Sequence, residues 1–301
     1  MSLAQQEQAL FALLFDSERQ QQFCQHGIAA LADFGLSRTE LADFRHIRAS
    51  ALQYDSQLRI DFILAQFCRA LPLSFSLIKA LTGSVDFIRQ QLSYEVMQQE
   101  TSKRLLHFAK QLKPAITRQA FANRTLLAIL AAETAMISTS YQLKMAYSQG
   151  KPFDTKSVLD AHWQTRPLRI ADYVSVSVLP LSYPILKQGL CPYLGSELWH
   201  YLQQSNSDHA EPLTFLHQED PRLLVSLAYI SHHSPCDMTI DHTTIELSEG
   251  FAPLLDAVDG ELCVNQLLAY LQKAGAPHPL LQSVAMGFRH LLQQGMLIFN
   301  D

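Results

Sequence analysis

"EGFAPLLDAVDGELCVNQLLAYLQKAG" (residues 249–275), followed by "LLQQGMLIF" (291–299), decides the fold of this chain. Its apolar residues recur at helical spacing in separate blocks, and each block carries its own terminator. "GFAPLLDAVDG" reads as a helix closed by Gly260, and "CVNQLLAYLQKAG" as one closed by Gly275. "PLLQSVAMGFRHLLQQG" opens with Pro279 and closes at Gly295, after which "MLIFN" is extended. Immediately upstream, "RLLVSLAYIS", "DMTID" and "TTIELS" are short β-like runs.

Strands followed by three helices and a returning strand predict a winged-helix-like module with a small antiparallel sheet over 222–301. The chain from 3 to 150 is helical by periodicity. In "DFGLSRTELADFRHI", Gly35 suits a left-handed cap and Ser37 with Glu40 fits a capping box. Leu52, Leu58, Ile60, Phe62, Ile63, Leu64, Phe67 and Leu71 predict a helix apolar on most sides, ended or bent at Pro72. A long helix is expected over 115–147. "SQGKPFD" (148–154), with Gly150 and Pro152, is the best linker, and "SDHAEPL" reads as a second boundary. Between them, "YVSVSVLPLSYPIL" alternates Val174, Val176 and Val178 with serines, the period of a half-buried strand, and "SELWHYLQQ" is a short helix. The expected class is therefore α+β, mostly α, with a helical domain at 1–150, a mixed connecting segment at 151–221 and the winged-helix-like module at 222–301.

The 301 residues, 48% hydrophobic and 17% charged with net charge −5, describe a globular chain rather than a disordered one. A sequence pI near 6.2 and the lack of a basic run argue against nucleic acid as a partner. No basic leader precedes an apolar core at the N-terminus, and no continuous apolar run approaches about eighteen residues, so neither a signal peptide nor a membrane span is expected. Cys24, Cys68, Cys191, Cys236 and Cys263 are odd in number and form no CxxC, which fits reduced thiols in a cytoplasmic protein. Cys24, Cys68 and Cys263 lie on or beside apolar helix faces and read as buried small hydrophobes.

The twelve histidines form no HExxH or Cys/His zinc spacing. His232 and His233 are adjacent and would point to opposite faces of a strand; His242 reads with them as a solvated turn histidine. There is no GxSxG, no GxGxxG and no phosphate loop, so no catalytic residue and no metal ligand is nominated. "DAHWQTRPLR" gathers Asp160, His162, Arg166 and Arg169, either as surface ion pairs at a helix end or as a charged cluster that steers a substrate. A small sheet with a free edge accepts an extended peptide by strand addition. "TTIELS" is the candidate edge, with Thr244, Ile245, Glu246 and Leu247 along it and Phe288 and Leu292 offering pockets, unless those apolar residues serve the module's own core.

"LSEGFAPLLDAVDGELCVNQLLAYL" with "FRHLLQQGMLIF" resembles the PqqD-like precursor-recognition element of ribosomal-peptide biosynthesis. Leu254, Leu255, Asp259, Gly260, Val264, Leu267, Leu268, Leu271, Leu292, Gly295 and Leu297 carry the resemblance. It covers the last 80 residues or so, and Cys263 stands where the family has threonine. Winged-helix DNA binders share part of the pattern, but "NQLLAYLQK" offers only Lys273 as a basic residue.

Residues 15–77, with Asp55, Arg59, "FGLS" and "CRALPLSFSL", resemble the helical region of MbnC/TglI-like partner subunits of multinuclear-iron enzymes in methanobactin and thiaglutamate biosynthesis. That resemblance implies a heterodimer in which the iron belongs to the partner and this chain alone binds no cofactor. It implies that the chain is not itself an enzyme, that its C-terminal module holds a precursor leader, and that Phe62, Phe67, Leu73 and Phe75 dock the partner. The chemistry would be oxidative modification of peptide cysteine, giving an oxazolone and thioamide or excising a cysteine carbon. A winged-helix transcriptional regulator is the alternative, and a stand-alone enzyme is third.

Overall fold

A computed structural model describes residues 3–151, 158–204, 220–234 and 237–300. The helices run α1 (Leu3–Phe15), α2 (Ser17–His26), α3 (Arg38–Phe44), α4 (Ala49–Cys68), α5 (Pro72–Thr82), α6 (Asp86–Gln90), α7 (Tyr94–Gln98), α8 (Thr101–Thr117) and α9 (Arg124–Ser148). After β1 (Pro167–Ile170) and β2 (Val174–Leu179) come α10 (Tyr183–Leu190) and α11 (Ser196–Gln204). The chain ends with β3 (Arg222–Ser234), β4 (Asp237–Ser248), α12 (Ala252–Asp256), β5 (Asp259–Cys263), α13 (Val264–Lys273), α14 (His278–Gln294) and β6 (Leu297–Phe299). The fold is α+β and mostly helical, with two three-stranded antiparallel sheets.

Two compact units divide the chain: Met1–Phe121 with Cys191–Ala210, and Ala122–Leu190 with Glu211–Asp301. The first contains α1 to α8 and α11. Its helices start where side chains satisfy free amides: Asp16 accepts the Arg19 N–H at 3.0 Å, and Ser37 and Glu40 close the expected capping box. Phe67, Phe75, Phe108 and Trp199 stack edge to edge in its interior, with ring centres 5.0 to 6.1 Å apart. Pro72 opens α5, and α4 and α5 meet at a 120° bend.

Three expectations change here. The helix over 115–147 is broken: α8 ends at Thr117, and Asn123 caps a new helix by accepting the Leu126 N–H at 2.8 Å. On α4, Leu58 and Phe62 are not core residues but lie outward with Tyr54. Cys24 is exposed, whereas Cys68 and Cys263 are buried as expected.

In the second unit, β2, β3 and β4 form a meander whose two faces are both covered. Leu223, Val225 and Ile245 turn into a core shared with Leu255, Val264, Phe288 and Leu291. Their even-numbered neighbours turn the other way, and α9 packs against that face of the sheet. By length and composition α9 could also cross a membrane; here Leu126, Ile129, Leu130 and Ala132 are buried. Gly287 lets α14 close on this core: a Cβ there would stand 2.8 Å from the Phe251 ring.

The second sheet is ordered β5-β1-β6, so its central strand comes from far upstream. Residues 167–179, expected in a connecting segment, thus supply strands to both sheets, while α11 joins the helical unit and α9 leaves it. Periodicity identifies an element but not its partner, so the expected boundaries at 150 and 221 do not coincide with the compact units. "DMTID" and "TTIELS" are one strand, not two. Gly260 closes no helix: it lies in β5 at φ +98°, where a Cβ would fall 2.7 Å from the Asn300 side chain. "SDHAEPL" lies outside the described residues.

Candidate functional site

β4 is an edge strand, as the sequence suggested for "TTIELS". Ala228 donates its N–H to Tyr173 on the β2 side, so the odd-numbered residues of β3 turn their amides toward β4. Their partners on β4 are Asp241, Thr243, Ile245 and Leu247. The backbone groups of His242, Thr244 and Glu246 therefore point outward from the sheet, and no strand pairs with that edge among the described residues.

The side chains along the edge divide by face. Ile245 is buried in the core and Leu247 packs against it, while Thr244 is exposed. Glu246 is committed to the fold: its carboxylate accepts the Ser182 hydroxyl at 2.8 Å and the Tyr183 N–H at the start of α10. Phe288 and Leu292, expected as peptide pockets, are wholly buried in the module's own core, so neither presents a surface to a ligand.

Behind the edge, the His242 imidazole bridges two hydroxyls, Ser140 on α9 at 2.7 Å from Nε2 and Ser226 on β3 at 2.9 Å from Nδ1. Burial pushes the His242 pKa below its ordinary value, opposed by the neighbouring Asp241 carboxylate. This histidine is half-buried in a strand, not a solvated turn residue as expected. Reading the sequence missed Ser140 and Ser226 because a serine inside "AMISTSYQLK" or "LLVSLAYIS" has no local signal that distinguishes it from a face-filling residue. Histidine between two hydroxyls fixes a sheet against a helix; Ser226 is 1% exposed and presents nothing to a substrate. His232 is exposed, and the His233 side chain lies outside the described residues.

The quartet expected to steer substrate is partly brought together. Asp160 accepts the His162 backbone N–H at 2.8 Å and pairs with Arg166 at 3.7 Å. The Arg166 guanidinium also lies 3.9 Å over the Phe299 ring, which ties the approach to β1 onto β6. Arg169, on β1, pairs with Asp172 at 3.7 Å. Asp160, Arg166 and Arg169 thus engage the module's own strands and turns through their side chains, and His162 joins them through its backbone N–H. Among the described residues, no three His, Cys, Asp or Glu side chains gather as a metal-binding group.

Of the expected docking residues, Phe67, Leu73 and Phe75 are buried inside the helical unit, which corrects that assignment. Phe62 is 67% exposed and continues a stripe with Tyr54 (69%) and Leu58 (51%) at four-residue spacing along one face of α4. Compared with protein-family models, with curated proteins and with solved structures, the chain finds no match in any of the three.

Proposed function

We propose that this chain is the non-catalytic partner subunit of an iron-dependent enzyme that oxidatively modifies cysteine in a ribosomally made precursor peptide. The second unit is read as a PqqD-like, winged-helix-like recognition element, in the order α12, β5, α13, α14 and β6 that follows the β2-β3-β4 meander. The observation that carries the reading is the outward edge of β4. Its outward-facing amides and carbonyls at His242, Thr244 and Glu246, which no strand pairs among the described residues, suit an extended leader added as a fourth strand. Specificity along such an edge comes from side chains that flank the added strand, with Thr244 the exposed one.

The stripe of Tyr54, Leu58 and Phe62 supports a heterodimer, since three large exposed apolar groups on one helix face are what a protein partner covers. In this reading the iron and the chemistry, whether oxazolone and thioamide formation or excision of a cysteine carbon, belong to that partner, in the cytoplasm. This chain contributes leader binding and stability of the complex.

The test is retention of the peptide. The chain is co-expressed with its neighbouring genes and purified through a tag, and the retained species are weighed by mass spectrometry. Thr244→Pro removes an outward N–H without touching the β3 ladder, a substitution edge strands tolerate. It should release a cysteine-containing peptide that the unmodified chain retains; equal retention by both would remove the β4 edge from the account.

A further inference from the structure

The opposite margin of the same sheet is β2, which reads "VSVSVL" over Val174–Leu179 and carries no charge and no proline. Exposed sheet edges are normally blunted by charged side chains, prolines or bulges, because a bare edge templates pairing with another chain. β4 has such features: Asp241, His242 and Glu246 lie along it, and its register shifts where it passes Ile230 and His232 of β3. β2 has none of them. Its register with β3 is unbroken from Val174 to Leu179, and no strand pairs with its outer side among the described residues.

One bond fixes which groups face that outer side. The Ala228 N–H donates to the Tyr173 carbonyl at 3.1 Å, so Tyr173, Ser175 and Ser177 turn their backbone groups toward β3. Val174, Val176 and Val178 therefore turn theirs outward. Their side chains share the face of Leu223 and Val225 but lie at the rim of that core, with Val176 37% and Val178 41% exposed. The stretch Val174–Val178 is also a palindrome. Antiparallel pairing of two β2 strands about Val176 sets Val174 opposite Val178 of the second copy, Val176 opposite its own counterpart and serine opposite serine. In that register outward residues meet only outward residues, so each valine pair exchanges both N–H···O bonds. The exposed valines become cross-strand pairs, and no like charges are brought together.

We propose that the β2 edge is a self-association surface, on which two copies of this chain join β2 to β2 across a two-fold axis through Val176. The product is one continuous sheet in the order β4-β3-β2-β2-β3-β4. The occupant is a second copy because the edge is its own complement in sequence, in register and in its lack of charge. Both β4 edges stay outward at the two ends of that sheet, and the stripe of Tyr54, Leu58 and Phe62 lies on the other compact unit. The proposal therefore does not depend on the proposed function, and two heterodimers could be joined this way.

Analytical ultracentrifugation of the full chain purified alone, over a concentration series, tests it. The mass should rise from 33.9 kDa toward twice that value. Val176→Lys and Val176→Glu each set like charges against one another on the axis and should each weaken association about tenfold or more. An equimolar mixture of the two variants should restore it, because an ammonium then meets a carboxylate. Val176→Thr should associate like the unmodified chain. Thermal unfolding reports whether each variant folds. If Val176→Lys does not, Val178→Lys, at the more exposed position, should weaken association in its place. A chain that stays at 33.9 kDa up to about 0.5 mM overturns the proposal. So does a dimer that the folded lysine variants leave intact, or a mixture of Val176→Lys and Val176→Glu that stays monomeric. If the co-purified iron subunit or a peptide abolishes self-association and Thr244→Pro makes no difference, the β2 edge belongs to that ligand and the proposal equally falls. None of these failures touches the peptide account of β4.

Discussion

The Nε2 atom of His242 lies 2.7 Å from the Ser140 hydroxyl, joining β4 to the apolar helix that covers its sheet. Desolvation holds the imidazole below its ordinary pKa of 6.5, against a smaller opposing pull from Asp241. The unfolded chain therefore binds a proton more readily than the folded one. The stability contributed by neutral His242 is complete above 6.5 and is lost as pH falls from there through the lower, folded-state pKa. Urea unfolding at about pH 8 and about pH 5 should show a larger acid loss in the unmodified chain than in His242→Gln. Ser140→Ala, which strips Nε2 of its partner, should cost about 1–3 kcal/mol at the higher pH.

Glu246 separates a structural role from a recognition role. Its carboxylate holds Ser182 and the first amide of α10, so Glu246→Ala should destabilise the second unit by about 1–2 kcal/mol. Thermal unfolding measures that loss. Peptide retention by the folded fraction should survive it, because the outward backbone of β4 is unchanged.

Exposed and buried aromatics of the helical unit should respond oppositely. Phe62→Asp should shift stability by no more than about 0.5 kcal/mol yet prevent co-purification of the partner. Phe75→Ala, which empties a site packed against Phe108 and Trp199, should cost about 3–5 kcal/mol in chemical denaturation.

The central position of β1 makes the C-terminal 80 residues incomplete. A fragment of residues 222–301 lacks the strand that pairs with both β5 and β6, together with β2. It should show no cooperative unfolding transition, whereas the full chain should show one for its second unit.

The same strand marks where the sequence is legible. The Ser37–Glu40 box and the Gly295 stop are local, set by residues within a few positions of one another, and each is found as read; "VSVSVL" forms the expected strand, but Val176 and Val178 are exposed while Ser175 and Ser177 are half-buried. That Leu168 would pair with Phe299, or that Ser140 would meet His242, depends on residues more than a hundred positions apart, and no period encodes it. Gly260 misled because a glycine that ends a helix and one that admits a neighbouring side chain look the same in sequence. The β4 edge was legible as a strand from "TTIELS" alone.

Iron content tests the central claim most directly. The chain purified alone, and the chain purified with the products of its neighbouring genes, are compared for iron per mole of protein. The account predicts that iron is retained only in the complex, in a heterodimer that Phe62→Asp dissociates. Stoichiometric iron in the lone chain, or a metal-free homodimer that retards DNA in a salt-dependent manner, would contradict it.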